Sequence, residues 1–327
     1  MMGNTKFKVL IAMLALVFIA SIGYVVYIVM NLEEKDEILS KKEQEKLLEL
    51  IESGDPSSYR DYLDYGGKLN FVYEDGDTPL EKLIYRNDFE GAKRILETGF
   101  DLNRIQGINP ISTISKVLDY NRLRYVEEID AIALHLVNQV KDDVWQTDEN
   151  GYPLLFHAIR TNNTRVVKEI LKYTSDLERV VGGHTALSYA AYYGAEPALI
   201  YTLLEHGAPV NARIDIDSLA LKQVTPAMVY IIFQGQDRSG LSAFISHDDF
   251  DPNLRDERGY TILHHAVERE RLEMVQMILR FTDIDPLIKT KNGETAYDLA
   301  IRLAAERGES SLFDEIADAI ASFANES

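Results

Sequence analysis

Hydrophobic and polar positions follow two regimes along this chain. The first is a continuous apolar run. Val9 to Leu32, VLIAMLALVFIASIGYVVYIVMNL, carries no ionisable acid or base over 24 residues. About 20 helical residues, rising 1.5 Å each, cross a hydrocarbon core of roughly 30 Å, so the run predicts one transmembrane helix. Lys6 and Lys8 precede it, whereas Glu33, Glu34, Asp36 and Glu37 follow it, diluted by Lys35. Lysines hold their side in the cytoplasm, so the bulk of the chain is expected on the far side. Tyr24 and Tyr27 fall towards the outer interface. A cleaved signal peptide is the alternative, with Ser21-Ile22-Gly23 as its small-residue site. Val25 to Met30 continue the apolar run past that site, which favours an uncleaved anchor. Residues 33–46, EEKDEILSKKEQEK, are charged helix formers without sustained heptads, and predict a helical stalk rather than a coiled coil.

The second regime is a repeat. Five segments share a Gly, one residue, then Thr-Pro-Leu or a variant. Their openings are Gly76-Asp77-Thr78-Pro79-Leu80, Gly151-Tyr152-Pro153-Leu154-Leu155, Gly183-His184-Thr185-Ala186-Leu187, Gly259-Tyr260-Thr261-Ile262-Leu263 and Gly293-Glu294-Thr295-Ala296-Tyr297. Weaker copies begin at Gly107 and at Gln223, the latter with Gln in the Gly slot. The seven slots lie 31, 44, 32, 40, 36 and 34 residues apart. Each opening precedes a short apolar helix, with Thr suited to cap it and Pro tolerated in its first turn. A second amphipathic helix follows, clearest at Phe89–Glu97, Leu199–Glu205 and Leu272–Leu279, with exits such as Gly99 and Gly207 suited to a left-handed stop. Leu47–Ser53 and Ser57–Tyr65 form an earlier, atypical pair.

These motifs and their period resemble the ankyrin-repeat family over about residues 43–325. The resemblance implies an all-α solenoid of about seven repeats plus an N-terminal cap, whose stacked hairpins share one core. The expected organisation is therefore residues 1–8 cytoplasmic, 9–32 anchor, 33–46 stalk and 47–327 ankyrin-repeat domain. Two units are enlarged. The slot from Gly107 predicts lengthened helices around Ile114–Leu118 and Tyr125–Val140. Residues 212–224 predict a protruding β-like finger, from the partial alternation of Ile214, Ile216, Leu219, Leu221 and Val224.

Composition narrows the function. Hydrophobic residues at 46% against 27% charged exclude wholesale disorder. The absence of Cys excludes disulfides, Cys-ligated metal and a Cys nucleophile. A formal charge of −19 argues against general nucleic-acid binding. Residues 33–327 hold 32 basic against 53 acidic residues, a net −21, which favours encounter with a basic partner. No nucleophile elbow, His-Glu-x-x-His, phosphate loop or dinucleotide fingerprint occurs, so no enzymatic activity, cofactor or metal is expected. His264-His265 is not a metal pair, because adjacent helical side chains diverge. His264 occupies the family's His slot, where the ring bonds the turn.

The resemblance implies a protein partner met by turn tips and by the exposed face of the first helices. By alignment, that face carries Lys82, Tyr85, Arg86, His157, Arg160, Thr161, Tyr189, Tyr192, Tyr193, His265, Glu268 and Arg269. The tips carry Asp75, Asp77, Asp148, Tyr152, His184, Asp256, Glu257 and Tyr260. Tyr189, Tyr192 and Tyr193 offer the largest contact area at low entropic cost. The whole layout is similar to the ankyrin-type immunity proteins encoded beside phospholipase effectors of type VI secretion. That implies an inner-membrane protein with a periplasmic domain that captures a basic-surfaced lipase toxin and touches lipid only through its anchor. A non-inhibitory envelope scaffold and a membrane protein with a cytosol-facing ankyrin domain are the alternatives.

Overall fold

The computed structural model describes residues 38–124, 127–235, 238–307 and 312–326. The expected anchor at 9–32 and the start of the stalk lie outside them. Among the described residues no helix is long and apolar enough to cross a membrane. The chain divides into two compact units, the boundary falling between Ile108 and Asn109.

The first unit is built from two helix pairs among its described residues: α1 (Lys41–Ser53) with α2 (Pro56–Leu63), and α3 (Pro79–Tyr85) with α4 (Phe89–Glu97). Helix α1 starts six residues before the expected pair, within the segment expected as stalk. Ser40 stops it at the front, donating both its backbone N–H (3.0 Å) and its hydroxyl (2.6 Å) to the Glu43 carboxylate. Buried Leu39, Leu47 and Ile51 then hold it against the unit. In α3, Thr78 accepts the Glu81 N–H at 3.3 Å while Glu81 accepts the Thr78 N–H at 2.6 Å, a reciprocal cap that satisfies two otherwise orphan donors. The Tyr59 hydroxyl donates to Asp88, whose carboxylate also accepts the Gly91 N–H that opens α4.

The second unit stacks six pairs: α5 (Pro110–Arg124) with α6 (Glu127–Gln139), α7 (Leu154–Arg160) with α8 (Thr164–Ile170), α9 (Ala186–Tyr193) with α10 (Pro197–Glu205), α11 (Pro226–Phe233) with α12 (Ser239–Ile245), α13 (Ile262–Glu268) with α14 (Leu272–Phe281), and α15 (Ala296–Arg307) with α16 (Leu312–Glu326). First helices pack on first helices and second on second, giving two layers over one core. The periodicity explains the burial. In α14, Met274, Val275, Ile278 and Leu279 point inward, as an i, i+1, i+4, i+5 stripe must. With the two pairs of the first unit, the described residues hold eight pairs.

One turn recurs atom for atom before four of the repeats. Tyr73, Asp148, Asp256 and Thr290 each donate an N–H to the carbonyl four residues on and accept the N–H of the slot glycine, all at 2.8–3.1 Å. That geometry holds the slot residue in the left-handed region. The six slot glycines lie at φ 81–85°, and Gln223 is forced to φ 59° in the same place. At the opposite edge, Asn side chains link three of the exit loops to the next. Asn253 accepts the Asp285 N–H (2.7 Å) and donates to the Asp283 carbonyl (2.9 Å); Asn211 does the same with Asp251 and Asp249, and Asn70 accepts from Asp101.

Both enlargements take the expected form. Helices α5 and α6 are 15 and 13 residues long, against 7 for α7. Residues 212–224 contain the antiparallel pair β1 (Ile214–Ile216) and β2 (Leu221–Val224). The finger does not stand clear, however. Ile214, Ile216 and Val224 are buried, and the Lys222 carbonyl accepts the Glu257 N–H of the next turn at 3.1 Å.

Candidate functional site

The turn tips and the ends of the first helices form the candidate partner surface, and their hydrogen bonds decide which side chains are available. In the turn at Gly151, the Asp148 carboxylate accepts the N–H groups of Asn150 (2.9 Å) and Tyr152 (2.8 Å) and the Nε2–H of His157 (3.1 Å). The Nδ1 of that ring faces Arg160 at 3.5 Å, and Arg160 donates to Asp119 at 2.8 Å. Burial pushes the Asp148 carboxyl up, but the donors from Tyr152 and Asn150, with the His157 ring, outweigh it and hold it low. Burial also drives His157 below its ordinary value, against the pull of Asp148. The pair is a neutral imidazole clasping a carboxylate, and its product is a rigid turn.

The same clasp returns at Gly259. Asp256 accepts the Tyr260 N–H at 2.8 Å and meets His265 Nε2 at 3.1 Å. His265 is wholly buried, so its expected place on the contact face is corrected: the ring is turned back to hold the turn. Tyr260 is also covered, by the Arg258 guanidinium 3.8 Å over its ring. Arg258 in turn grips Glu268 through two bonds of 2.9 and 3.1 Å, which commits Glu268 internally. His264 behaves as its slot implies. Its Nδ1 accepts the Thr261 N–H at 3.2 Å and meets the Thr261 hydroxyl at 2.9 Å, while Nε2 donates to the Glu294 carbonyl of the following turn at 3.4 Å. Burial pushes it down to about 4.

The three tyrosines separate. Tyr189 is only 6% exposed, correcting the expectation that it lies open. It packs on Phe156 (ring centroids 4.8 Å), Tyr152 (5.9 Å), His184 (5.7 Å) and Tyr193 (4.6 Å). His184 is likewise buried, and desolvation pushes it down to about 4. Tyr192 is half-buried against Phe233 at 4.7 Å and Tyr193 at 5.1 Å. Tyr193 remains 42% exposed at the crest of this strip. Gln234 locks the strip from the next repeat, donating to the carbonyls of Ala191 (2.8 Å) and Tyr192 (2.9 Å). Gly194 ends α9 in the left-handed region at φ 67°, which calls for glycine there.

Elsewhere, Tyr85, Arg86, Asp75, Glu257 and Arg269 are exposed. Lys82 is tied to Asp75 and Asp77, and Arg160 to Asp119. Phe233 and Gln234 were not anticipated, because the unit at Gln223 lacks a clear motif by which to place them. Among the described residues, no group of three His, Cys, Asp or Glu converges on a metal-sized space. An open groove of 520 Å³ between α10 and α12 is lined by Tyr201, Leu204, Glu205, Ala243, Ser246 and His247, with Asp248 and Asp249.

Comparison with known proteins agrees with this geometry. Family models described as ankyrin repeats match residues 126–214 (three copies) and 245–300 (many copies). An ankyrin repeat protein of Acanthamoeba polyphaga mimivirus is 25% identical, over 65% of this chain and 67% of its own length. The ankyrin repeat domain of Bcl-3, a member of the IkappaB protein family, superposes with a TM-score of 0.55 at 19% identity, covering 76% of this chain and all of that one. That likeness is one of fold. Ankyrin repeats are typically non-catalytic modules that bind protein partners. Repeated turns, paired helices and matched family models together show ankyrin repeats in this chain over residues 126–214 and 245–300.

Proposed function

We propose that the chain is a non-catalytic capture protein, tethered to a bilayer by residues 9–32, that binds its partner through the aromatic strip at Tyr193. The observation that carries the reading is the strip itself. An exposed Tyr held by rings on two sides, with Gln234 fixing the helix end beneath it, is already rigid in its binding conformation. Such a side chain loses little entropy on contact, which is the property of an interface anchor. The net −21 of residues 33–327 favours a basic protein, with association that slows as salt rises. Tethering would hold the domain at high local concentration beside the membrane.

Within this reading, the finer role is that of a periplasmic immunity protein that covers a membrane-attacking phospholipase by stoichiometric contact. What supports it is the apolar run with lysines on its N-terminal side and acids on the other, the lack of Cys, and the acidic repeat domain. The test is affinity capture from a periplasmic fraction with wild type and Tyr193→Ala, followed by a lipase protection assay. Recovery of a basic lipase by wild type alone, with protection, is expected. Recovery of another protein without protection would leave a binding scaffold, and equal recovery by Tyr193→Ala would reject the strip. Protease accessibility in intact spheroplasts separates a periplasmic from a cytosolic domain.

A further inference from the structure

At three junctions between neighbouring second helices, an acid of one repeat meets an arginine of the other. Asp64, at the end of α2, pairs with Arg94 of α4 at 2.5 Å. Asp130 of α6 pairs with Arg165 of α8 at 3.4 Å, and Arg238, just before α12, with Glu273 of α14 at 3.5 Å. The junction of α10 with α12 is built otherwise. Its open groove of 520 Å³ carries Glu205 on the α10 side and Asp248 and Asp249 on the α12 side. Residues 197–212 and 239–254, which supply both sides, contain no Lys or Arg. Among the described residues no ion pair reaches these three carboxylates. Glu205 ends α10 and Ile245 ends α12, so the negative ends of both helix dipoles lie at the same groove. Its floor is apolar: Leu204 and Ala243 are buried, and Tyr201 beside them is 38% exposed. A second hollow of 460 Å³, along the exit loop at 207–212, shares His247 and Asp249 with the first, so the two adjoin.

We infer that the α10–α12 groove is a second docking surface, and that it takes an extended segment of a protein partner through an arginine side chain. Charge chooses the sign of the occupant. Carboxylates on both sides and two helix ends attract a cation, and the arginine that other junctions draw from the fold is here left for the partner to supply. The floor chooses the kind of cation. Buried Leu204 and Ala243 suit an aliphatic stem, and the open Tyr201 ring suits a planar guanidinium stacked on it, which a compact hydrated ion cannot match. The adjoining hollow continues the site along the exit loop, which gives the residues next to the arginine a path across the surface. The groove belongs to the layer of second helices, whereas the strip at Tyr193 lies at the end of a first helix, so the inference stands apart from that reading.

The experiment titrates the full 327-residue chain, at fixed non-ionic detergent, with a labelled 12-residue Gly/Ser peptide carrying three arginines. The same peptide with citrulline in their place, equal in shape but uncharged, is the control. The arginine peptide should bind at low salt, raise hydrogen-exchange protection over residues 201–212 and 241–250, and weaken about fivefold or more in Glu205→Gln/Asp248→Asn. Asp176→Asn/Glu178→Gln removes the same charge from an exposed loop of the same unit and should change affinity less than about twofold, which separates the groove from the general negative field. Tyr201→Ala should also weaken binding, and Tyr193→Ala should leave it unchanged. The four side chains replaced in the paired variants are exposed, so their melting temperatures should match wild type. Equal binding of the citrulline peptide, equal losses in the two paired variants, or a chain dimer that Glu205→Gln/Asp248→Asn dissolves would each overturn the inference.

Discussion

Acid should loosen this protein through its buried rings, His264 among them, before its carboxylates respond. His264 is buried, and its Nδ1 is an acceptor, taking the Thr261 N–H at 3.2 Å. A proton added there would point a donor at a donor and cut the cap of α13. Desolvation by burial is the leading cause of its depression from 6.5 to about 4; the nearby His265 and Arg255 charges add to it, and the Glu294 carbonyl and Asp256 oppose it. A depressed histidine pKa means that the unfolded chain takes the proton first. The stabilising contribution is therefore complete above about pH 6.5 and is lost as pH falls towards 4. A gap of about 2.5 units is worth roughly 3 kcal/mol in all, and about 2 kcal/mol of it should disappear between pH 7 and pH 5. The assay is urea unfolding at pH 7, 6 and 5 of wild type and His264→Gln. Glutamine keeps an acceptor for the Thr261 N–H, as in a capping box, but does not titrate. The variant should lose about 1 kcal/mol at pH 7 with the Glu294 link and be less pH-sensitive than wild type by about 2 kcal/mol over this range. Parallel pH curves for the two proteins would refute the argument.

Three further outcomes follow from the packing. Tyr189→Ala, which empties a site enclosed by Phe156, Tyr152, His184 and Tyr193, should cost about 3–5 kcal/mol in denaturant unfolding, whereas Tyr193→Ala should cost under about 1 kcal/mol. Gln223→Gly should raise stability by about 0.5–1 kcal/mol by removing a side chain from φ 59°, while the backbone N–H bond to Asp215 is kept; a lowered melting temperature would contradict it. Asn253→Ala should cost about 0.5–1.5 kcal/mol, because it removes the bonds to the Asp285 N–H and the Asp283 carbonyl, which water then takes over, and hydrogen exchange at Asp285 should rise with it.

The turn architecture was legible in the amino-acid order because each slot imposes a backbone requirement that few residues meet. Even the disguised copy at Gln223 is real, since its neighbours force the same left-handed angle. The long helices α5 and α6 and the β pair at 214–224 were legible for a related reason: spacing and alternation are local properties. The start of α1 was obscured because Leu39, Leu47 and Ile51 are scattered among eight charged or polar residues, and only their burial shows that they are core. The site was read less well. Alignment places Tyr189, His184, Tyr260 and His265 on the partner-facing edge, but cannot show that another ring or guanidinium already lies over each. One signal was available. Asp148 with His157, and Asp256 with His265, share a nine-residue offset in register, and two copies of an acid and an imidazole at one spacing denote an internal bond more readily than two contacts.

The asparagine links of the exit loops carry a consequence for how such a chain changes length. Asn211 reaches only the loop that ends at Asp251, and Asn253 only the loop at Asp285. These two junctions are thus fastened by the same pair of side-chain atoms. Excising one internal module would let the asparagine before the gap meet the aspartate after it, as a bead removed from a string lets its neighbours touch. Duplication of the module between them would extend the array by the same join, so the number of such modules can drift while the geometry of that join stays constant.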